Sequence, residues 1–143
     1  MEQLPANIKT KIESLIREGG ALKEQRLYKD AIKPYTEAFQ ELPDPREDWD
    51  VSIGLFLSLG DCHFALEEYG ASDYFYNQVL FCDEGFGSAE AWLGIGKSRF
   101  ELEDMDKAKE ALLSAYMLEG KDIFSDKDSK YFKFLEANVS LTA

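Results

Sequence analysis

Gly96-Lys97-Ser98 is the point where the sequence comes nearest to a nucleotide site. A phosphate-binding loop reads G-x-x-x-x-G-K-[ST] after a strand: its backbone N–H groups cradle phosphate and its lysine reaches it. The position five residues before Gly96 is Ala91, and the surrounding pattern is helical, so no nucleotide is expected there. His63 is the single histidine, and any Ser/His/Asp or Cys/His engine would have to use it. Its neighbour Cys62 cannot serve as its nucleophile, because adjacent helical residues point apart. A partly buried helix residue is the plainer reading of His63.

Carboxylates are plentiful: Glu67-Glu68, Asp83-Glu84, and Glu101, Glu103, Asp104 and Asp106. Catalytic acids need a pocket that shifts their pKa. These lie near turns and helix ends, where acids cap and solvate. SDKDSKYFKF lacks the alternating ligands, glycine and closing glutamate of a calcium loop. Asn138-Val139-Ser140 fits a glycosylation sequon, which has no use in a cytoplasmic chain. Cys62 and Cys82 form no CxxC and have no histidine cluster, so two buried free thiols are expected rather than a zinc site. The chain is read as non-enzymatic, with no cofactor and no metal.

The 143 positions, with 45% hydrophobic and 13% aromatic content, can bury the core of one domain. No apolar run approaches the roughly 18 residues of a membrane span, and the N-terminus lacks a basic start followed by an apolar segment. A cytoplasmic location is expected. The formal charge of −12 repels nucleic-acid phosphates and anionic lipid. It serves solubility, and it also suits a basic protein partner, whose encounter it would speed.

Three segments repeat. Each has a glycine in a first helix (Gly19, Gly60, Gly96), then a large residue after a turn (Tyr28, Tyr69, Met105). A small residue (Ala31, Ser72, Ala108), a second large one (Tyr35, Tyr76, Leu112) and Ala38, Val79 or Ala115 follow. Every column keeps the same spacing, 41 residues and then 36. Small residues let two antiparallel helices approach, and large ones fill the space between pairs. Pro43 closes the first unit, while Glu84 stands at the matching place in the second.

These columns resemble the tetratricopeptide repeat family, over about Leu15 to Gly120. The resemblance implies an all-α fold: three helix-turn-helix repeats stacked as a short right-handed superhelix, with a C-terminal capping helix. The expected single domain, 1–143, has repeats at about 5–43, 46–84 and 88–120, and a capping helix at about 128–140. Pro5 suits a first helical turn. Asp44, Pro45 and Glu47 read as a cap, a first-turn proline and a capping box, so PDPREDWD predicts a longer first helix in repeat two. Gly85 and Gly87 break the chain before Ser88, an N-cap for the helix of Trp92. Tyr131, Phe134, Leu135 and Val139 give the closing helix its apolar face.

In the family, the first helix of each pair lines a concave groove. By register the groove residues are Glu13, Arg17, Gly20 and Lys23; Leu57, Asp61 and Phe64; and Leu93, Lys97, Phe100 and Glu101. Phe64 and Phe100 serve either as partner anchors or as packing between helices. The family's carboxylate clamp for C-terminal peptides needs several Lys, Arg and Asn; here Arg17, Lys23 and Lys97 are the only groove cations and the Asn are missing. The implied function is protein binding. The chain looks like small stand-alone repeat proteins encoded beside bacterial polymorphic toxins, through the tail EGKDIFSDKDSKYFKFLE, which would make it an immunity protein against a toxin domain. It is also similar in size, acidity and design to class II chaperones of type III secretion, which hold a segment of a secreted protein. A generic adaptor is the third possibility.

Overall fold

A computed structural model describes residues 2–141. Seven α-helices form among them: α1 Ala6–Glu24, α2 Tyr28–Glu41, α3 Ser52–Ala65, α4 Tyr69–Leu80, α5 Ala89–Glu101, α6 Met105–Glu119 and α7 Ser129–Asn138. Successive helices pack as the pairs α1/α2, α3/α4 and α5/α6, each pair stacks on the next, and α7 closes the stack against α6. No extended strand forms among the described residues; Glu2 and Trp49 make an isolated bridge.

The glycine columns explain why the pairs close. A Cβ on Gly19 would stand 2.7 Å from the Tyr35 ring, one on Gly60 2.7 Å from Tyr76, and one on Gly96 2.6 Å from Leu112. The first helix thus gives up a side chain so that the large residue of the second can lie on its backbone. Ala31, Ser72 and Ala108 are fully buried, as are Ala38, Val79 and Ala115. Ile12, Leu55, Phe56 and Leu59 complete the core of the first two pairs. Leu93, Leu112, Tyr131 and Leu135 form a second cluster beneath α7.

The turn within each pair adds a further column. Arg26, Glu67 and Glu103 all take positive φ, between 60° and 64°. The following N–H closes the helix end each time: Leu27 to Leu22, Glu68 to His63 and Asp104 to Arg99, at 2.9–3.0 Å. This is the left-handed C-terminal closure that glycine fills most easily.

Ser72 stands in an alanine column because it has a partner. Its Oγ donates to the Tyr69 carbonyl at 3.0 Å and lies 2.7 Å from Ser98 Oγ, joining the second pair to the third. Glu84 has φ 64°, which proline cannot adopt; this is why the closing proline of the first unit is not repeated there.

One expectation about a helix start needs correction. Asp44, Pro45 and Glu47 do not begin a long helix. Residues Arg46–Asp48 form a 3-10 turn without a side-chain cap, the Asp44–Pro45 peptide is cis, and α3 starts at Ser52. Polar side chains fold this segment back: Trp49 Nε1 donates to the Pro43 carbonyl at 2.8 Å and Arg46 Nε to that of Phe39 at 2.9 Å. Glu2 adds backbone bonds to Asp48 and Asp50. Pro5 immediately precedes α1, and its carbonyl accepts from Ile8 and Lys9. Ser88 is an N-cap as its type suggests, accepting from Ala91 N–H at 3.2 Å.

Candidate functional site

The first helices of the pairs place Lys23, Asp61, Phe64 and Lys97 around one hollow of about 430 Å3. Tyr28, Tyr76, Lys127, Asp128 and Tyr131 also line it. These last five were not in the register derived from the first helices. Tyr28 and Tyr76 were visible as repeat-column residues, and a Ser-x-x-Asp capping box marks Asp128 in the sequence. Ser125 N–H and Oγ lie 3.2 and 3.0 Å from Asp128 Oδ2.

Of the lysines that line the hollow, Lys23 and Lys97 are already matched. Lys23 Nζ donates to Asp61 Oδ2 at 2.8 Å, and the Tyr76 hydroxyl donates to Asp61 Oδ1 at 2.5 Å. Burial pulls the Lys23 ammonium down, but Asp61 outweighs it and leaves the pKa raised. Burial first, then the adjacent Asp61 carboxylate, holds Tyr76 far above the usual phenol value. Lys97 Nζ donates to the buried Asp128 at 2.6 Å while lying 4.7 Å over the Phe64 ring. Glu101 receives hydrogen bonds from Lys130 at 2.7 Å and Tyr131 at 2.6 Å. Burial alone would raise the Glu101 carboxyl, but these two bonds and the Lys130 charge hold it below its usual value.

The remaining register residues divide into two groups. Glu13 and Arg17 stand exposed on α1 outside the hollow. Leu57 is partly buried against the core. Leu93 is buried in the cluster of Leu112, Tyr131 and Leu135, so it offers little surface to a partner. Phe100 meets Tyr131 and Phe134 edge-on at 5.3 and 5.1 Å, and Phe64 meets Tyr69 at 5.2 Å. Both phenylalanines therefore pack between elements; Phe64 also keeps a place on the hollow.

The residues singled out for chemistry are paired or buried. His63 pairs with Glu68 at 2.8 Å and stacks on Phe75, with ring centroids 5.5 Å apart. Cys62 and Cys82 are buried free thiols, pushed by burial to about 11, so little nucleophilic thiolate is present near neutral pH. Among the described residues, no group of three or more His, Cys, Asp or Glu could hold a metal ion.

Solved structures share this fold. The first tetratricopeptide domain of Spaghetti (RPAP3), bound to the HSP90 peptide SRMEEVD, matches 90% of the chain and 93% of its own length, with TM-score 0.70 and 20% identity. The fold is a tetratricopeptide-repeat fold. The C-terminal repeat domain of a putative FK506-binding protein from Plasmodium falciparum matches 90% of the chain and 85% of its own, with TM-score 0.73 and 19% identity. The first such domain of human RPAP3 gives 0.64 and 20%, over 90% and 97% of the two chains. No protein-family model matches the sequence, and no curated protein matches it. No helix among the described residues is long and apolar enough to cross a membrane.

Proposed function

We propose that the chain is a non-enzymatic protein-interaction module whose concave face receives a basic protein partner, and that it serves as an immunity protein against a cognate bacterial toxin. The observation that carries the binding reading is the convergence of Lys23, Asp61, Phe64 and Lys97 from three successive repeats on one hollow. Peptide binding by a solved domain of the same fold supports it. The excess of acid, −12 overall, supports a basic partner, because complementary charge speeds encounter and rejects like-charged competitors.

Lys23 and Lys97 are poorly placed to receive a bare C-terminal carboxylate. They are already engaged by Asp61 and Asp128, so an incoming carboxylate would have to displace them. A partner that brings cations of its own meets Asp61, which is partly exposed.

Co-expression with the product of the neighbouring gene tests the assignment. Immunity is supported by a complex with a folded partner that survives moderate salt and is toxic when expressed alone. A harmless partner defeats the immunity role. An unfolded secreted segment in the complex would make the chain a secretion chaperone instead. Phe64→Asp should weaken either complex, and an unchanged affinity would remove the hollow from the interface.

A further inference from the structure

The connection between α4 and α5, residues 81–88, leaves two phenylalanines in water: Phe81 is 69% exposed and Phe86 67%. Burying either ring against a partner would be favourable. The loop that holds them is firmly built. Gly85 is buried, and a Cβ there would stand 1.7 Å from the Val79 carbonyl oxygen, so no other residue fits. Gly85 N–H donates to the Cys82 carbonyl at 2.9 Å and Ser88 N–H to that of Gly85 at 3.0 Å. Trp92 Nε1 donates to the Phe86 carbonyl at 2.8 Å, and its ring meets that of Phe86 edge-on at 5.2 Å. The connection between α2 and α3 has a similar bond, Trp49 Nε1 to the Pro43 carbonyl, but it turns its aromatic residue into the core.

A rigid loop that displays aromatic rings binds without an ordering cost, and aromatic anchors carry much of the energy of protein contacts. The surrounding charge selects the occupant. Residues 47–96 contain no Lys or Arg and ten Asp or Glu, with Asp83 and Glu84 between the two phenylalanines and Glu90 just beyond. A second copy of this chain would bring the same negative charge, and an anionic membrane or a nucleic acid would be repelled. We propose that the α4–α5 loop is a second docking point, on which Phe81 and Phe86 pack against an apolar stripe of a cationic protein surface. The proposal rests on the protein-binding reading and places a contact away from the concave hollow.

An amphipathic helical peptide of Leu and Lys, titrated into the full chain and followed by backbone amide NMR, tests it. Shifts should centre on residues 80–92, and affinity should fall as salt rises. The doubly substituted F81S/F86S chain should keep its helical fold, because both rings are mostly exposed, and should bind at least tenfold more weakly. A peptide with Glu in place of Lys should not bind. Equal binding by the substituted chain, equal binding of the Glu peptide, or no binding at all overturns the proposal. Shifts confined to Asp61, Phe64 and Lys97 would also overturn it while leaving the concave site intact. Loss of the neighbouring-gene complex without loss of this peptide contact would count against the immunity reading alone.

Discussion

The ring of Tyr76 occupies the space where Gly94 would carry a side chain: a Cβ on Gly94 would stand 2.5 Å from it, and one on Gly60 2.7 Å. One tyrosine thus wedges between the first helices of two successive repeats. In an exposed helix, Gly→Ala gains about 0.5–1 kcal/mol. At Gly94 the sign should reverse, with a loss of about 1–3 kcal/mol from overpacking. Urea unfolding of Gly94→Ala measures this, and a stabilised variant would show that the Tyr76 ring can move aside.

The Ser72–Ser98 contact joins the second pair to the third. Both side chains are fully buried, so removing one leaves the other hydroxyl short of a partner. Ser72→Ala and Ser98→Ala should each cost about 1 kcal/mol, and the double substitution clearly less than their sum. Strict additivity in the unfolding free energies would mean that the pair contributes nothing as a pair.

Glu67 and Glu103 hold left-handed backbone at the turns within pairs two and three. Glycine enters that region without the steric cost of a Cβ. Glu103→Gly should therefore raise stability by up to about 1 kcal/mol, visible as a higher melting temperature; a lower one would show that its side chain matters more than its backbone. Arg26, in the first pair, should respond in the same direction.

Four buried acids should make the fold sensitive to alkali. Cys62 and Cys82 rise from 9.0 to about 11, and Tyr76 and Tyr131 are raised above 10.0, in each case chiefly by burial. Raised folded values favour the neutral form. Their stabilising effect is complete below the unfolded values and is lost as pH climbs through the interval up to the folded ones. Between about pH 9 and pH 11 each cysteine should remove up to about 1.4 kcal/mol per pH unit. Urea midpoints should fall steadily over that interval, and more gently in Cys62→Ala relative to its own neutral-pH value. A flat profile would contradict the burial of these thiols.

Phe100 was legible as a groove residue or as packing, and its contacts with Tyr131 and Phe134 favour packing. Phe100→Asp should cost about 3 kcal/mol and should speed hydrogen exchange in α7 before the rest of the chain. Unchanged protection of α7 would show that the Glu101 pairs with Lys130 and Tyr131, and the Lys97–Asp128 pair at its start, suffice to hold it.

The sequence made the repeat readable because glycine, alanine and the large residues are constrained by one helix-on-helix distance, repeated three times. Ser88 was readable because a capping hydroxyl acts on its own first turn. The start of α3 was misread because Asp44, Pro45 and Glu47 have the local chemistry of a helix start, while the bonds that hold the turn come from Phe39, Pro43 and Glu2. The hollow was half legible. Lys23, Asp61, Phe64 and Lys97 follow from the helical register; Asp128 and Tyr131 arrive from a segment outside the repeat, and no periodicity reports where such a segment lands. The same distance in the chain hid the burial of Leu93.

The position of Lys97 has a practical consequence for labelling. Its amine is clamped by Asp128 and roofed by Phe64 and Tyr131, whereas the amines of Lys11 and Lys130 belong to side chains more than half exposed. Acylating reagents should reach Lys97 late, and its adduct yield would report, residue by residue in a mass spectrum, how often the tail lifts from the body of the protein.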